Sequence, residues 1–236
     1  YSVDSLSKTF LPLAAIDTHD LTQLITNLWS IRWGFTIPQY LFHLVLPGRI
    51  ESIFIFQLLA VSAALALTFY TVVVHARLSY QLALTIILVL FLDTTFVGTM
   101  LSHQEYGPAL LYLALSIHFI LLFGKTHRNS FLLLTGFFLY LTFTCNAIFL
   151  AFIASSALFL FFRKDWFAGI VLLGCFGLFL LLDIALFWII SDGAISMGRF
   201  EHLVNLIAVL QEEYDQALLA GNSNAGFAAG VLPALK

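Results

Sequence analysis

Charged residues are scarce in this sequence, since Asp, Glu, Lys and Arg together make up 10% of its 236 residues. A soluble globular domain carries roughly 25% charged residues, which cover a surface that faces water. Apolar residues account for 61% of the chain, and its mean hydropathy is +0.99. These values exclude a soluble domain and indicate a protein whose solvent is mostly lipid.

Cysteine is also rare, and basic residues form no patch. Cys145 and Cys175 are the two cysteines, and neither belongs to a CxxC pair or has a second metal-ligating residue nearby in sequence. No disulfide framework or structural metal site is therefore indicated, and both are predicted to pack as small apolar side chains. The formal net charge of −3 and the absence of a basic patch argue against nucleic acid as a partner.

Long apolar runs are what the sequence has in abundance. A helix needs about 20 mainly apolar residues to cross roughly 30 Å of hydrocarbon, and six stretches approach or exceed this length. The fourth and fifth are separated by Thr144, Cys145 and Asn146, which we interpret as a tight polar turn, because residues 131–162 are too many for a single span. The predicted spans are Ile53–Val74, Gln81–Leu101, Tyr106–Phe123, Ser130–Phe143, Ala147–Phe162 and Trp166–Ile190.

The short loops between these spans are sorted by charge. Three alternate loops hold five of the ten basic residues, and the first two short loops opposite hold none. The positive-inside rule makes the basic side cytoplasmic, so both ends of the chain are expected outside, with a bacterial inner membrane as the expected location. The basic loops are His75–Arg77, Lys125–Arg128 and Arg163–Lys164, and the opposite ones are Ser102–Glu105, Thr144–Asn146 and Ser191–Gly193.

Amphipathic segments flank the spans on the outer side. Asp17–Gly34 places its apolar residues on one helical face, with Asp17 as the N-cap and Gly34 as the stop. Thr36–Leu46 is apolar but too short to cross, which indicates a re-entrant or interface-lying segment. A second amphipathic helix is predicted from Phe200 to Leu218.

The predicted fold is therefore an all-α, polytopic membrane bundle of about six transmembrane helices with amphipathic interface helices outside. It forms a single domain over residues 1–236. Within it, residues 51–190 hold the spans, and residues 1–50 and 191–236 are the outer segments.

Residues suited to chemistry gather on the outer side. Carboxylates and imidazoles shielded by apolar helices are suited to general-base catalysis or to holding a divalent cation, although no particular metal is indicated. A plainer interpretation makes Asp17 and Asp20 a helix cap and leaves the loop residues solvated. Both interpretations stay open. The residues are Asp17, His19 and Asp20 in the first outer segment, His103 and Glu105 in the second outer loop, Asn146 in the third and Asp192 after the last span.

Two acids lie within predicted spans, Asp93 and Asp183. An ionised carboxylate is costly in hydrocarbon, so such residues usually face the bundle interior or a wet cavity and serve function. The alternative is a protonated or hydrogen-bonded acid that only packs. His118 is the only histidine deep in a span, and without a second mid-membrane imidazole a haem is not indicated.

The order of these elements resembles the first half of the GT-C superfamily of glycosyltransferases, which includes protein mannosyltransferases and aminoarabinose transferases. The resemblance covers roughly residues 15–190. Its pieces are the acidic start Ile16–Leu24, the Gly-and-Pro element Trp33–Leu44, the short loop Ser102–Tyr106 and the Gly-led helix entry Thr135–Thr144.

The resemblance implies an enzyme, or an inactive relative, that uses a polyprenyl-phosphate-linked sugar at the outer face. Asp17 or Asp20 would deprotonate or orient the acceptor. Glu105 and His103, with His19 beside the acids, would hold a divalent cation or the lipid phosphate, and Arg49 and Arg199 would pair with phosphate oxygens.

Two other functions stay open. One is a non-catalytic subunit of a larger membrane complex, such as a photosynthetic or respiratory assembly, supported by the short chain and its 25 phenylalanines. The other is a transporter fragment, in which Asp93, Thr94, Thr95 and Asp183 would form a polar path.

Overall fold

The computed structural model describes residues 33–46, 51–75, 77–93, 106–145 and 149–190. Regular secondary structure in these ranges is helical throughout, which confirms the predicted all-α class. The helices are α1 (Trp33–Val45), α2 (Glu51–Val74), α3 (Tyr80–Leu92), α4 (Tyr106–Thr126), α5 (Asn129–Cys145), α6 (Leu150–Phe162) and α7 (Trp166–Ile190).

Three helices are long and apolar enough to cross a membrane, and they lie in α2, α4 and α7. The helices α3, α5 and α6 are equally apolar but shorter, with 13 to 17 residues. The predicted ends agree with the structure at Val74 and at both ends of α7. The chain is thus a membrane-embedded helical bundle.

One predicted span is too long at its carboxyl end. The second span was expected to run to Leu101, but α3 ends at Leu92. Asp93 follows in extended backbone (φ −71°, ψ 104°), with its N–H bonded to the carbonyl of Val89 and its side chain exposed. Asp93 therefore ends a helix instead of lying two turns inside one.

The prediction that Thr144 and Cys145 form a polar turn is also wrong. Both residues lie in the last turn of α5 and are buried. Gly34 likewise does not stop a helix, since it lies in the first turn of α1. The amphipathic helices predicted over residues 17–32 and 200–218 lie outside the described residues. The segment Thr36–Leu46, predicted to be re-entrant or interface-lying, is helical up to Val45.

The core forms where α4, α5, α6 and α7 meet. Gly136 of α5 allows this close packing, since a Cβ there would lie 2.8 Å from the Cβ of Cys175 in α7. Outside this core, α2 packs against both α4 and α3. The buried apolar side chains of this core include Ile120, Phe123, Leu132, Leu139, Phe143, Ile153, Leu160, Leu172 and Phe176.

The chain divides into two compact units, Tyr1–Leu182 and Asp183–Lys236. In the second unit the described residues are 183–190, which complete α7. Asp183 is 2% exposed there.

The three basic loops meet at one end of the first unit, here called the basic end. Lys125 Nζ of α4 donates to the carbonyl of Val74, the last residue of α2, at 3.2 Å. A Cβ on Gly124 would lie 2.9 Å from Nη1 of Arg163, which follows α6. The helices α2, α4 and α6 therefore all end here, as the predicted alternation requires. Which side of the membrane this end faces stays a prediction.

The turn from α6 to α7 is closed by a Schellman motif. Lys164 adopts a left-handed conformation (φ 61°), the N–H of Asp165 bonds to Leu160 O at 3.1 Å, and that of Lys164 bonds to Phe161 O at 2.9 Å. Asp165 Oδ1 then accepts from the N–H of Ala168 at 3.2 Å and caps α7. This turn fixes the position of Arg163.

Candidate functional site

A cluster of uncharged polar side chains is buried at the end of the bundle opposite the basic end, and we call it the polar cluster. Thr36 and Gln39 of α1, Gln57 of α2 and Thr144 of α5 are each no more than 3% exposed. The hydroxyl of Tyr112 from α4 joins them through Gly34. Polar groups buried in a membrane are costly unless they are bonded, so this cluster is the part of the described chain that most needs an explanation.

The backbone of Gly34 holds the cluster together. As a residue of the first turn of α1, Gly34 has an N–H without an intrahelical acceptor, and this N–H donates to Thr144 Oγ1 at 3.0 Å. The Thr144 hydroxyl in turn donates to Leu141 O at 2.8 Å. A hydroxyl of α5 thus caps α1 across 110 residues of sequence.

The carbonyl of Gly34 is bonded from a third helix. Its ordinary helical partner would be the N–H four residues later, but that residue is Pro38, which has no N–H. The hydroxyl of Tyr112 donates to this carbonyl instead, at 2.9 Å. The spacing of Gly34 and Pro38 therefore creates an acceptor that only another element can satisfy.

The start of α4 closes the other side of the cluster. Gly107 lies against Gln57, and a Cβ at Gly107 would clash with Gln57 Oε1. Tyr106 packs edge to face on Phe149, at 5.9 Å between ring centroids, which brings the start of α6 to the same end. The segments that precede α1, α4 and α6 in sequence thus all lead into helices that start here.

Two oxygens of the cluster, Thr36 Oγ1 and Gln39 Oε1, are buried without a hydrogen-bond partner among the described residues. They lie three residues apart on α1 and so share one face of that helix. Uncharged donors and acceptors of this kind can orient hydroxyl or amide groups, but they do not supply a general base.

None of the predicted site residues that the structure describes belongs to the polar cluster. Asp93 is exposed at the end of α3, and Asp183 is buried in the second unit. Among the described residues, no group of three His, Cys, Asp or Glu side chains could hold a metal ion. The other predicted site residues, Asp17, His19, Asp20, Arg49, His103, Glu105 and Arg199, lie outside the described ranges, as do Asn146 and Asp192.

A pair of imidazoles lies at the basic end. The rings of His75 and His118 are 5.1 Å apart between centroids, and His118 Nδ1 is 3.2 Å from Thr71 Oγ1. His75 follows the last residue of α2, and its ring nitrogens have no hydrogen-bond partner in the described chain. Burial, followed by the nearby charges of Lys125 and then His118, holds the pKa of His75 below its usual value of 6.5.

This lowered pKa predicts a loss of stability in acid. Well above pH 6.5 His75 is neutral in both the folded and the unfolded chain and contributes no pH dependence. As the pH falls through 6.5, the unfolded chain takes up the proton more readily than the folded chain, so the free energy of unfolding decreases. We expect the melting temperature in detergent to fall between pH 7.5 and 5.5, and His75→Gln to reduce that fall.

His127→Gln, which removes an exposed imidazole of the same end, is the matched control. If the His75 variant loses as much stability in acid as the unaltered chain, His75 is not the group responsible.

Comparisons with known proteins find no relative. No family model matches the sequence, no curated protein matches it, and no solved structure matches the fold.

Proposed function

We propose that this chain is an integral membrane glycosyltransferase of the GT-C type, or an inactive relative of one. It transfers a sugar from a polyprenyl-phosphate donor at the membrane face opposite the basic end. In a bacterium this would be the outer face of the inner membrane. One observation carries the proposal: α1 and α4 both begin at the polar cluster. The acidic segment with Asp17 and Asp20 precedes α1 in sequence, and the loop with His103 and Glu105 precedes α4.

The roles follow from the chemistry of these side chains. Asp17 or Asp20 acts as the general base that takes the proton of the acceptor. His19, His103 and Glu105 hold the lipid phosphate or a divalent cation, and Arg49 and Arg199 pair with phosphate oxygens. The cation would neutralise phosphate charge.

The polar cluster would serve this reaction as a scaffold. Gly34, Tyr112 and Thr144 fix the start of α1, the helix that follows the acidic segment in sequence, on α4 and α5. Thr36 and Gln39 add two further buried oxygens to this scaffold. The apolar remainder of α1, with Ile37, Leu41 and Leu44 exposed, would form the wall along which the prenyl chain lies.

The test is transfer by the full chain in proteoliposomes supplied with polyprenyl-phosphate mannose or polyprenyl-phosphate aminoarabinose. Asp17→Asn and Asp20→Asn each replace a carboxylate by an amide of the same shape. The substitution at whichever residue is the general base should slow sugar transfer roughly a hundredfold or more. Asp4→Asn removes a carboxylate from the same terminal region, outside the acidic motif, and should leave the rate unchanged.

Full activity in both Asp17→Asn and Asp20→Asn would contradict these roles. Absence of transfer by the unaltered chain with either donor, together with co-purification of other membrane proteins, would favour the non-catalytic subunit instead.

A further inference from the structure

An apolar groove lies between α4 and α6, and several of its lining residues, such as Ile117 and Phe152, are exposed. Its volume is about 280 Å³, and it is partly open to its surroundings. Isoleucine, leucine and phenylalanine side chains form most of the wall, and among the described residues Ser155 and Ser156 supply its hydroxyl groups. Ser155 donates to Ala151 O of its own helix at 2.8 Å. The groove therefore offers an apolar chain a concave surface with little competing polarity.

Arg163 lies at the end of this groove. Ile120 and Leu121 of α4 and Phe159 of α6 line it, and each is within four residues of Gly124 or Arg163 along its helix. The guanidinium carbon of Arg163 is 5.7 Å from the centroid of the Phe159 ring. Gly124 leaves room for this arrangement, since a Cβ there would lie 2.9 Å from Arg163 Nη1. The guanidinium is thus held between the groove and the basic end.

No described residue neutralises the charge at this position. Arg163 is exposed and forms no ion pair with any described residue. The nearest carboxylate in sequence, Asp165, caps the start of α7. Lys125 and Lys164 add positive potential at the same end. A molecule with an apolar chain and a negative group at one end would fit both the apolar wall of the groove and the positive charge of Arg163.

We propose that the groove binds an anionic phospholipid, with one acyl chain against α4 and α6 and the phosphate on Arg163. A guanidinium binds two phosphate oxygens at once through parallel N–H donors. The groove continues from this charge into the hydrocarbon region, as the acyl chain of a lipid does. The phosphate-binding end of the site, at Arg163, lies at the basic end, and the proposal does not depend on sugar transfer.

The experiment measures lipid binding to the delipidated full chain by native mass spectrometry from detergent micelles. Three additions are compared: phosphatidylglycerol, phosphatidylcholine with the same acyl chains, and inorganic phosphate. We expect phosphatidylglycerol to bind more tightly than phosphatidylcholine by roughly tenfold, the effect of one charge-assisted contact. Inorganic phosphate should not compete, because it has no chain to fill the groove.

Two pairs of variants test the two halves of the site. Arg163→Gln should weaken phosphatidylglycerol binding roughly tenfold, whereas Arg77→Gln, which removes an exposed charge from another loop of the basic end, should not. Ser155→Phe fills the groove without removing a contact between helices and should block binding. Leu158→Phe enlarges an exposed residue of α6 that does not line the groove, and it should leave binding unchanged.

Equal losses in the Arg163 and Arg77 variants would mean that only the general surface charge attracts lipid, and would overturn the proposal. Equal binding by the Ser155 and Leu158 variants would show that the groove is not the site. Displacement of the lipid by inorganic phosphate would assign the guanidinium to free phosphate and would also overturn it.

Discussion

Gly34→Ala is expected to detach α1 from the bundle and to lower the free energy of unfolding by about 2–4 kcal/mol. The added methyl group would clash with Leu141 O and Thr144 Oγ1 and would lie 3.0 Å from Cys145 Sγ. A backbone carbonyl cannot rotate away as a side chain can, so α1 must move. Both hydrogen bonds of the Gly34 backbone, to Thr144 and from Tyr112, lengthen or break when it does.

The measurement is thermal or denaturant unfolding of the purified chain in detergent, with proteolysis of the amino-terminal segment as a second reading. Gly174→Ala is the matched control, because Gly174 lies inside α7 with open space where its Cβ would be. Alanine favours a helix over glycine by about 1 kcal/mol, so this control should be neutral or slightly stabilising. Equal unfolding curves for the two variants would contradict the tight contact at Gly34.

Apolar helices could be predicted at these positions because lipid demands long apolar runs, although of the six predicted spans only those in α2, α4 and α7 are long enough to cross a membrane within the described residues. The end of α2 at Val74 and both ends of α7 follow from hydropathy and from the polar residues just beyond. The co-location of the basic loops followed in the same way, since spans that alternate in direction bring every second loop to one end. The contacts of Lys125 with Val74 and of Arg163 with Gly124 agree with this alternation.

The error at Thr144 has a simple cause. Thr144, Cys145 and Asn146 were interpreted as a turn, because residues 131–162 are too many for a single span. A threonine inside a helix can bond its own backbone, however, and Thr135, Thr142 and Thr144 all donate to carbonyls three or four residues earlier. These hydroxyls cost little when buried, so the helix could run on to Cys145.

The polar cluster could not be predicted from sequence, although part of its signal is local. Gly34 and Pro38, four residues apart, show that one helical carbonyl lacks its donor. Nothing nearby in sequence says which residue supplies it, since Tyr112 and Thr144 are 78 and 110 residues away. Gln39 and Gln57 were a second signal, because an amide inside an apolar run requires a partner within the bundle.

If the Tyr112 hydroxyl replaces the backbone N–H that Pro38 lacks, substitutions at Tyr112 and Pro38 should be energetically coupled. Tyr112→Phe removes the donor and leaves the carbonyl of Gly34 buried without a partner, which should cost about 1–3 kcal/mol of unfolding free energy. In a chain that also carries Pro38→Ala, residue 38 has an N–H that can bond that carbonyl within α1. The same Tyr112→Phe change should then cost about 1 kcal/mol less.

The cycle of four chains, compared by unfolding in detergent, measures this difference directly. Tyr40→Phe, six residues beyond Gly34 in α1, gives the cost of losing a phenol hydroxyl in general and should not couple to residue 38. Additive effects of Tyr112→Phe and Pro38→Ala would mean that the tyrosine stabilises α1 by packing alone. A smaller cost of Tyr112→Phe in the Pro38→Ala chain would instead show that the backbone donor missing at Pro38 is replaced by the hydroxyl of Tyr112. The missing donor in α1 would then be what holds α1 against α4 at the polar cluster.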